Sequence, residues 1–246
     1  MFGLFSKKSN PIPIWFKTDI HCHVLPGVDD GSPDVETSLQ LIHDLHEMGI
    51  ERIIASPHVE TIQFPNTHET LSQAYETLRQ ALNDSGTTVP VTYSAEYRID
   101  EGLDELLAQR RIIAYPGDYV LIENGWIQEP WNLEQIIFDL QIKGYQPILA
   151  HPERFVYYRS KSKRLDELHD KIPFQINLLS LSGYYGKDVQ KFAESLLKKG
   201  YADFMGTDTH HSRHIESLRK YLASSAATKH RDMSLPTLQN DRIFKR

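Results

Sequence analysis

Across residues 17–32, "KTDIHCHVLPGVDDGS", His21 and His23 flank the one cysteine of the chain, and Asp29 and Asp30 follow in a short loop before Gly31. Histidine and carboxylate side chains at this density are the donors of a metal site. Alternate residues of a strand share a face, so His21 and His23 can grip one ion together while Cys22 points away. The same residue types recur at His58, Glu96, Glu123, His151, Asp208 and His210. Together with Asp30 these are too many for one ion of ordinary coordination number, so about two or three divalent ions are expected, with a carboxylate such as Glu96 as the bridge. Imidazole and carboxylate without thiolate suit Mn2+, Fe or Zn2+ alike. Of the Asp29–Asp30 pair one is expected to bind an ion and the other to shape the turn; Asp19 is assigned a structural role. His43, His46, His169 and His230 stand alone and read as surface or helix-face residues.

A cysteine-based phosphate loop would need an arginine six positions beyond Cys22, and Val28 stands there. The motifs "HPER" and "THHSR" place Arg154 just beyond His151 and Arg213 just beyond Asp208, where a guanidinium fork could grip an anionic group. Arg154, Arg213 and Asp30 are therefore the candidates for direct action on a substrate, Asp30 being counted among the ligands as well. No Walker-type loop, Rossmann fingerprint or G-x-S-x-G elbow is present.

Seven short apolar runs could carry these residues: "TDIHCH", "RIIASPH", "VTYSAE", "YVLIEN", "PILAHPER", "FQIN" and "DFMGTDTH". Between them lie amphipathic stretches. The clearest has Ser32 as a cap, Pro33 at the first helical position, Asp34 favouring the dipole, and Val35, Leu39, Ile42 and Leu45 as a stripe ending near Gly49. A second covers about 67–84, and others are expected at 101–109, 131–143, 161–171, 187–199 and 213–225. Alternation of strand and helix predicts parallel βαβ units, closed into a barrel rather than left as an open sheet. All the runs except "FQIN" end in a metal-ligand residue, and in a parallel barrel all strand C-termini converge on one face.

At 246 residues, with 40% hydrophobic residues, the chain suits a soluble globular domain. Its net charge of -6 and scattered lysines and arginines argue against nucleic acid as partner. The lone cysteine fits a reducing compartment, and the N-terminus has neither a signal-peptide core nor a membrane span, so a cytoplasmic protein is expected. Residues 1–14 read as a tail, 15–226 as one domain and 227–246 as a C-terminal tail or short packing segment. Phe2, Leu4 and Phe5 could touch a membrane surface, though a plain tail is the preferred reading.

The ordered motifs "DIHCHVLPGVDDG", "SPHV", "SAEY", "VLIEN", "AHPER" and "GTDTHH" resemble those of the PHP superfamily (polymerase and histidinol phosphatase), and within it the bacterial protein-tyrosine phosphatases of CpsB/YwqE type. The resemblance implies an α/β fold, a distorted (β/α)7 TIM-like barrel, holding up to about three divalent ions, often Mn2+. It makes His21, His23, His58, Glu96, His151 and Asp208 ligands of inner sites, Asp30, Glu123 and His210 ligands of an outer one, and Arg154 the phosphate-binding arginine. The sequence diverges after His210, which weakens the case for Arg213. It further implies hydrolysis of phosphotyrosine in a protein, such as the tail of a bacterial tyrosine kinase controlling capsule or exopolysaccharide synthesis. The rivals are a small-molecule phosphomonoesterase of histidinol-phosphatase kind and a non-catalytic module that docks phosphorylated proteins. A homo-oligomer is compatible with the sequence.

Overall fold

The computed structural model describes residues 11–243; Phe2, Leu4 and Phe5 lie outside them. In chain order the elements are β1 (Thr18–Asp19), α1 (Val35–Glu47), β2 (Arg52–Ala55), β3 (His58–Val59), α2 (His68–Asp84), β4 (Val91–Tyr93), β5 (Glu96–Arg98), α3 (Glu101–Ala108), β6 (Tyr119–Glu123), α4 (Leu133–Ile142) and β7 (Gln146–Ala150). There follow α5 (Ser162–His169), β8 (Phe174–Asn177), α6 (Leu178–Ser182), α7 (Lys187–Lys199), β9 (Phe204–Gly206), α8 (Ser212–Leu222), α9 (Ser225–Ser234) and α10 (Asn240–Ile243). Two single 3-10 turns, Pro152–Arg154 and Val156–Tyr158, follow β7.

Every strand pairing is parallel, in the orders β1-β2-β4 and β3-β5-β6-β7-β8-β9. The expected runs "RIIASPH" and "VTYSAE" each divide into two short strands. The first bends at Ser56-Pro57, where proline has no N–H for a ladder and the Ser56 N–H turns to the Cys22 carbonyl at 2.9 Å. Beyond β9 the chain returns to the first strand run: Cys22 and Thr209 form a parallel bridge, the His23 N–H donates to the Thr209 carbonyl at 2.9 Å, and the Asp208 N–H donates to the His21 carbonyl at 2.7 Å. The last strand run thus meets the first, and the sheet closes as a distorted (β/α)7 barrel.

Apolar residues fill it in two layers. Ile20, Ile54, Leu121, Ile148 and Phe204 form a small cluster with a side chain from each of several strand runs, as the inside of a closed barrel requires. A larger cluster joins the outer strand faces to the helices, among them Leu41, Ile42 and Leu45 of α1. Helix α1 begins two residues later than its sequence suggests. Asp34, extended at φ -154°, caps it by accepting from the Thr37 N–H at 2.8 Å. Pro33 precedes the cap, while the buried Ser32 donates to the Asp34 carbonyl instead.

Both chain ends of the described region are packed. Ile14 is buried, and the Ile12 and Ile14 N–H groups donate to the Leu222 and Met48 carbonyls, so ordered packing starts before residue 15. Helix α9 runs across position 226, with Ala227 and His230 buried. Beyond it, Asn240 is an amide bolt under the barrel seam. Its Oδ1 accepts from the Met205 N–H at 2.9 Å, and its Nδ2 donates to the Thr18 and Met205 carbonyls at 2.8 and 2.7 Å. Asn240→Ala would strand buried backbone groups on β1 and β9; a loss of about 3 kcal/mol is expected in urea unfolding, and a loss below about 0.5 kcal/mol would remove the bolt from the account.

Candidate functional site

The strand C-termini bring the expected residues together. Donor atoms of His23, Asp30, His58 and His210 lie within 4.8 Å of one another, as do those of His21, His23 and Asp208, of His21, Glu96 and His151, and of His58, Glu96 and Glu123. Glu96 faces His21 Nε2 and His58 Nδ1 at 3.2 Å each and His151 Nε2 at 3.1 Å. Its place in two of the groups is that of a bridging carboxylate. The Glu123 carboxylate lies 3.6 Å from His151 and 4.0 Å from His58, on the Glu96 side. Asp30 instead faces His58 at 3.7 Å and His210 at 3.4 Å, so the geometry separates Glu123 from the Asp30–His210 pair with which the resemblance grouped it.

The backbone makes this convergence possible at a local cost. His151 (φ 30°) and Asp208 (φ 53°) both sit in the left-handed region just past the ends of β7 and β9, a conformation costing roughly 1 kcal/mol or more for residues with a Cβ. Gly206 lets His21 come close: a Cβ there would stand 2.4 Å from the His21 Cβ.

Two side chains outside the candidate ligand set and one backbone carbonyl fix the imidazoles. Gln175 Oε1 takes His21 Nδ1 at 2.8 Å, Asp29 Oδ2 takes His23 Nδ1 at 2.7 Å, and the Asp208 carbonyl takes His210 Nδ1 at 2.9 Å. Each acceptor requires the proton on Nδ1, so the Nε2 lone pair is the one presented to the cluster. Asp29, the other half of the acidic pair, is buried and also accepts from the His58 and Gly31 N–H groups at 3.0 and 2.9 Å. On Asp208, Oδ2 accepts from Asn177 Nδ2 at 2.6 Å, Arg154 Nη1 at 2.8 Å and the Tyr185 hydroxyl at 3.1 Å, while Oδ1 faces His21 and His23 at 3.5 Å. The strand "FQIN", which offered no ligand type, thus supplies Gln175 and Asn177 to hold two residues that are.

The residues fit divalent cations on a direct observation: His21 Nε2, His23 Nε2 and Glu123 Oε1 are buried with no hydrogen-bond partner. Such orphaned donors are costly unless a cation takes them. Protons and carboxylates balance one another here: against burial, Glu96 and Asp208 push His21 up to about 9, and Asp29 and Glu96 push His23 well above the usual range. Burial would raise the Glu96 and Asp208 carboxyls, but the neighbouring cationic groups, His21 foremost for each, hold both well below the usual range. Burial and then the Glu96 charge push Glu123 well above it. Burial lowers His58 and His151 to about 4 each, keeping their rings neutral and able to ligate. Cys22 is buried in the apolar cluster with its thiol pushed well up by burial, which agrees with its exclusion as a nucleophile.

A cavity of about 260 Å3 opens over the cluster, walled by Phe64, Arg98, Trp126, Arg154, Tyr185 and His210 among others. The Arg154 guanidinium lies 4.6 Å from the Trp126 ring centre and 4.2 Å from that of Tyr185. Arg213 is not part of this cavity; it is exposed on the first turn of α8, where the helix carries its side chain outward. Arg98 takes a place no sequence argument gave it, with Nη2 2.9 Å from Glu123 Oε2 and Nε 3.1 Å from Glu60 Oε2. The signal was present: Arg98 follows Glu96 at the same two-residue step that joins His21 to His23.

A closed parallel barrel with histidines and carboxylates gathered at its strand ends is a fold of the PHP type. The chain belongs to the family described as "Capsular polysaccharide synthesis, CpsB/CapC", which it matches over residues 17–232. The tyrosine-protein phosphatase YwqE of Bacillus subtilis is 34% identical over 194 residues, 78% of this chain and 76% of that protein. The tyrosine-protein phosphatase CpsB of Streptococcus pneumoniae is 25% identical over 199 residues, 78% and 82% of the two chains. Among solved structures, a chain from the work on YwqE and CpsB, described as unique metal-dependent tyrosine phosphatases, superposes with a TM-score of 0.76 at 29% identity, covering 92% of this chain and 96% of that one. Histidinol phosphate phosphatase from Lactococcus lactis shares the fold, with a TM-score of 0.53 at 16% identity over 84% of this chain and 92% of its own.

Asp29→Asn keeps the shape of the loop but removes the charge behind His23. Titration calorimetry of Mn2+ into metal-stripped protein should show affinity reduced roughly 10–100-fold, and an unchanged isotherm would deny Asp29 its orienting role.

Proposed function

We propose that this chain is a metal-dependent protein-tyrosine phosphatase, with Mn2+ as its metal and the phosphorylated tail of a bacterial tyrosine kinase, in capsule or exopolysaccharide synthesis, as its substrate. The observation that carries the reading is the buried set of orphaned imidazole and carboxylate atoms beneath an open cavity with an arginine at its wall. His21, His23 and Asp208 would hold one ion; Glu96, which faces His21, His23 and His151, would be shared with a second held by His151 and Glu123, which lie 3.6 Å apart; and Asp30, His58 and His210 would hold a third. Bound ions would polarise the phosphoryl oxygens and lower the pKa of a water nucleophile.

The chain's own side chains do the rest. Arg154 is fixed through Nη1 on Asp208 and by the Trp126 and Tyr185 rings, and its remaining N–H groups can fork onto a phosphoryl oxygen pair. That placement lets it stabilise charge growing on the phosphoryl oxygens without reorganising during the reaction. Phe64 and Trp126 offer apolar walls for a phenol ring, which narrows the choice toward aryl esters. No covalent phosphoenzyme is required, because the chain's only thiol is buried and hydrolysis can pass directly from phosphate ester to water. No helix among the described residues is long and apolar enough to cross a membrane, and we place the activity in the cytoplasm.

Phosphate release from a phosphotyrosyl peptide tests this. Metal-stripped protein should be inactive and recover with Mn2+; His23→Ala should remain inactive, and Arg154→Ala should lose about 100-fold in kcat/KM. Turnover that survives chelation would contradict the proposal. A strong preference for histidinol phosphate would replace it with a small-ester phosphatase, and peptide bound but recovered intact would replace it with a docking module.

A further inference from the structure

Beside the candidate catalytic cavity the loops after β3 and β6 carry three large apolar side chains that are almost wholly exposed: Ile62 at 91%, Ile127 at 93% and Trp131 at 93%. Lone exposed apolar residues are ordinary, but a cluster of this size at the mouth of a site marks a binding surface. The depression is continuous with the site. The catalytic cavity shares Glu60, Gln63, Arg98 and Trp126 with a neighbouring cavity of about 410 Å3, and that one shares Ile62, Asp100 and Gly125 with an outer cavity of about 470 Å3 reaching Trp131. A chain whose phosphorylated side chain entered the catalytic cavity would be led along this groove.

Its charge selects the occupant. Among the described residues, the one cation on the walls of the two outer cavities is Arg98, which is engaged by Glu60 and Glu123. Asp100 accepts from the Thr61, Gly102 and Leu103 N–H groups, so its carboxylate is built into the groove floor. Glu101 and Asp104 line the outer end, with no cation paired to either among the described residues. The acidic rim disfavours an anionic lipid surface, and it also disfavours a second copy of a chain whose net charge is -6.

We propose that this groove is a docking site for the substrate polypeptide beside its phosphotyrosine, taking an apolar residue against Ile62, Ile127 and Trp131 and a lysine or arginine against Glu101 and Asp104. The proposal rests on the phosphotyrosine reading and adds to it a sequence preference. Affinity for the flanking segment is realised in the ground state and the transition state alike, so losing it should act on KM rather than kcat.

The test compares two phosphotyrosyl peptides of equal length, one with isoleucine and lysine beside the phosphotyrosine and one with glutamate there, alongside p-nitrophenyl phosphate, which has no flanking chain. Wild-type protein in Mn2+ should favour the basic peptide roughly tenfold in kcat/KM. Trp131→Ala and the Ile62→Ala/Ile127→Ala pair, all on exposed positions, should erase that preference through KM while p-nitrophenyl phosphate turnover is unchanged. Glu101→Lys/Asp104→Lys should invert it. Equal effects on peptide and p-nitrophenyl phosphate, or no difference between the peptides, would overturn the proposal. So would vesicle binding or self-association that Trp131→Ala abolishes while peptide kinetics stay as in the wild type. Calorimetric binding of the same peptides separates the two levels of the argument: no hydrolysis of any ester would sink the phosphatase reading, yet a preference for the basic peptide lost in Trp131→Ala would still support the groove.

Discussion

The seam at which the last strand run meets the first is the constraint on which this molecule depends. The backbone bonds from His23 to Thr209 and from Asp208 to His21 close the barrel with the very residues whose side chains form the cluster. Closure and site assembly are therefore one event: a sheet that failed to close would separate the His21–His23 pair from Asp208 and His210. Supports from far along the chain converge on the seam. Asp19 accepts from the Thr207 N–H and hydroxyl at 3.1 and 2.6 Å, and Asn240 spans β1 and β9 from below. The C-terminal helices are in this sense part of the site's foundation.

Electrostatics make the same architecture expensive without cations. Asp29, Glu96, Glu123 and Asp208 are packed together out of solvent, and charges placed so are tolerated only when paired. Hydrogen bonds to Gln175 and from Asn177 and Tyr185 satisfy outward-facing atoms, while His21 Nε2 and His23 Nε2 turn inward without partners. The division is chemical. Atoms that turn outward are held by the neutral Gln175, Asn177 and Tyr185 and by the charged Asp29 and Arg154, which fix geometry, and the atoms that turn inward are what a cation would find. The left-handed backbone at His151 and Asp208 is a further cost borne where two side chains must turn into the cluster.

Much of this was legible in the sequence because ligand types are rare at strand ends and barrel topology gives all strand ends one destination. His21, His23, His58, Glu96, Glu123, His151, Asp208 and His210 could be gathered by that rule alone, whereas the choice of Asp30 over Asp29 came from the family resemblance. The rule is blind to residues that act by hydrogen bonding to a neighbour: Gln175 and Asn177 are chemically ordinary, and only the fold shows that they orient His21 and Asp208. It also misjudged arginines. Arg154 and Arg213 stand equally close to cluster residues in sequence, but the 3-10 turn after β7 folds Arg154 over the cavity, whereas α8 carries Arg213 away. The split of two strand runs escaped for a local reason, since Ser56-Pro57 keeps an apolar pattern on both sides of the bend.

We propose that the barrel seam builds a cage for more than one divalent ion with Glu96 shared between neighbours. Anomalous diffraction from crystals grown with Mn2+, recorded above the manganese edge, tests it most directly. Separate anomalous peaks are expected flanking the Glu96 carboxylate, bounded by His21, His23 and Asp208 on one side and by His151 and Glu123 on the other. A single peak remote from Glu96, or none in protein shown by elemental analysis to be loaded, would contradict it.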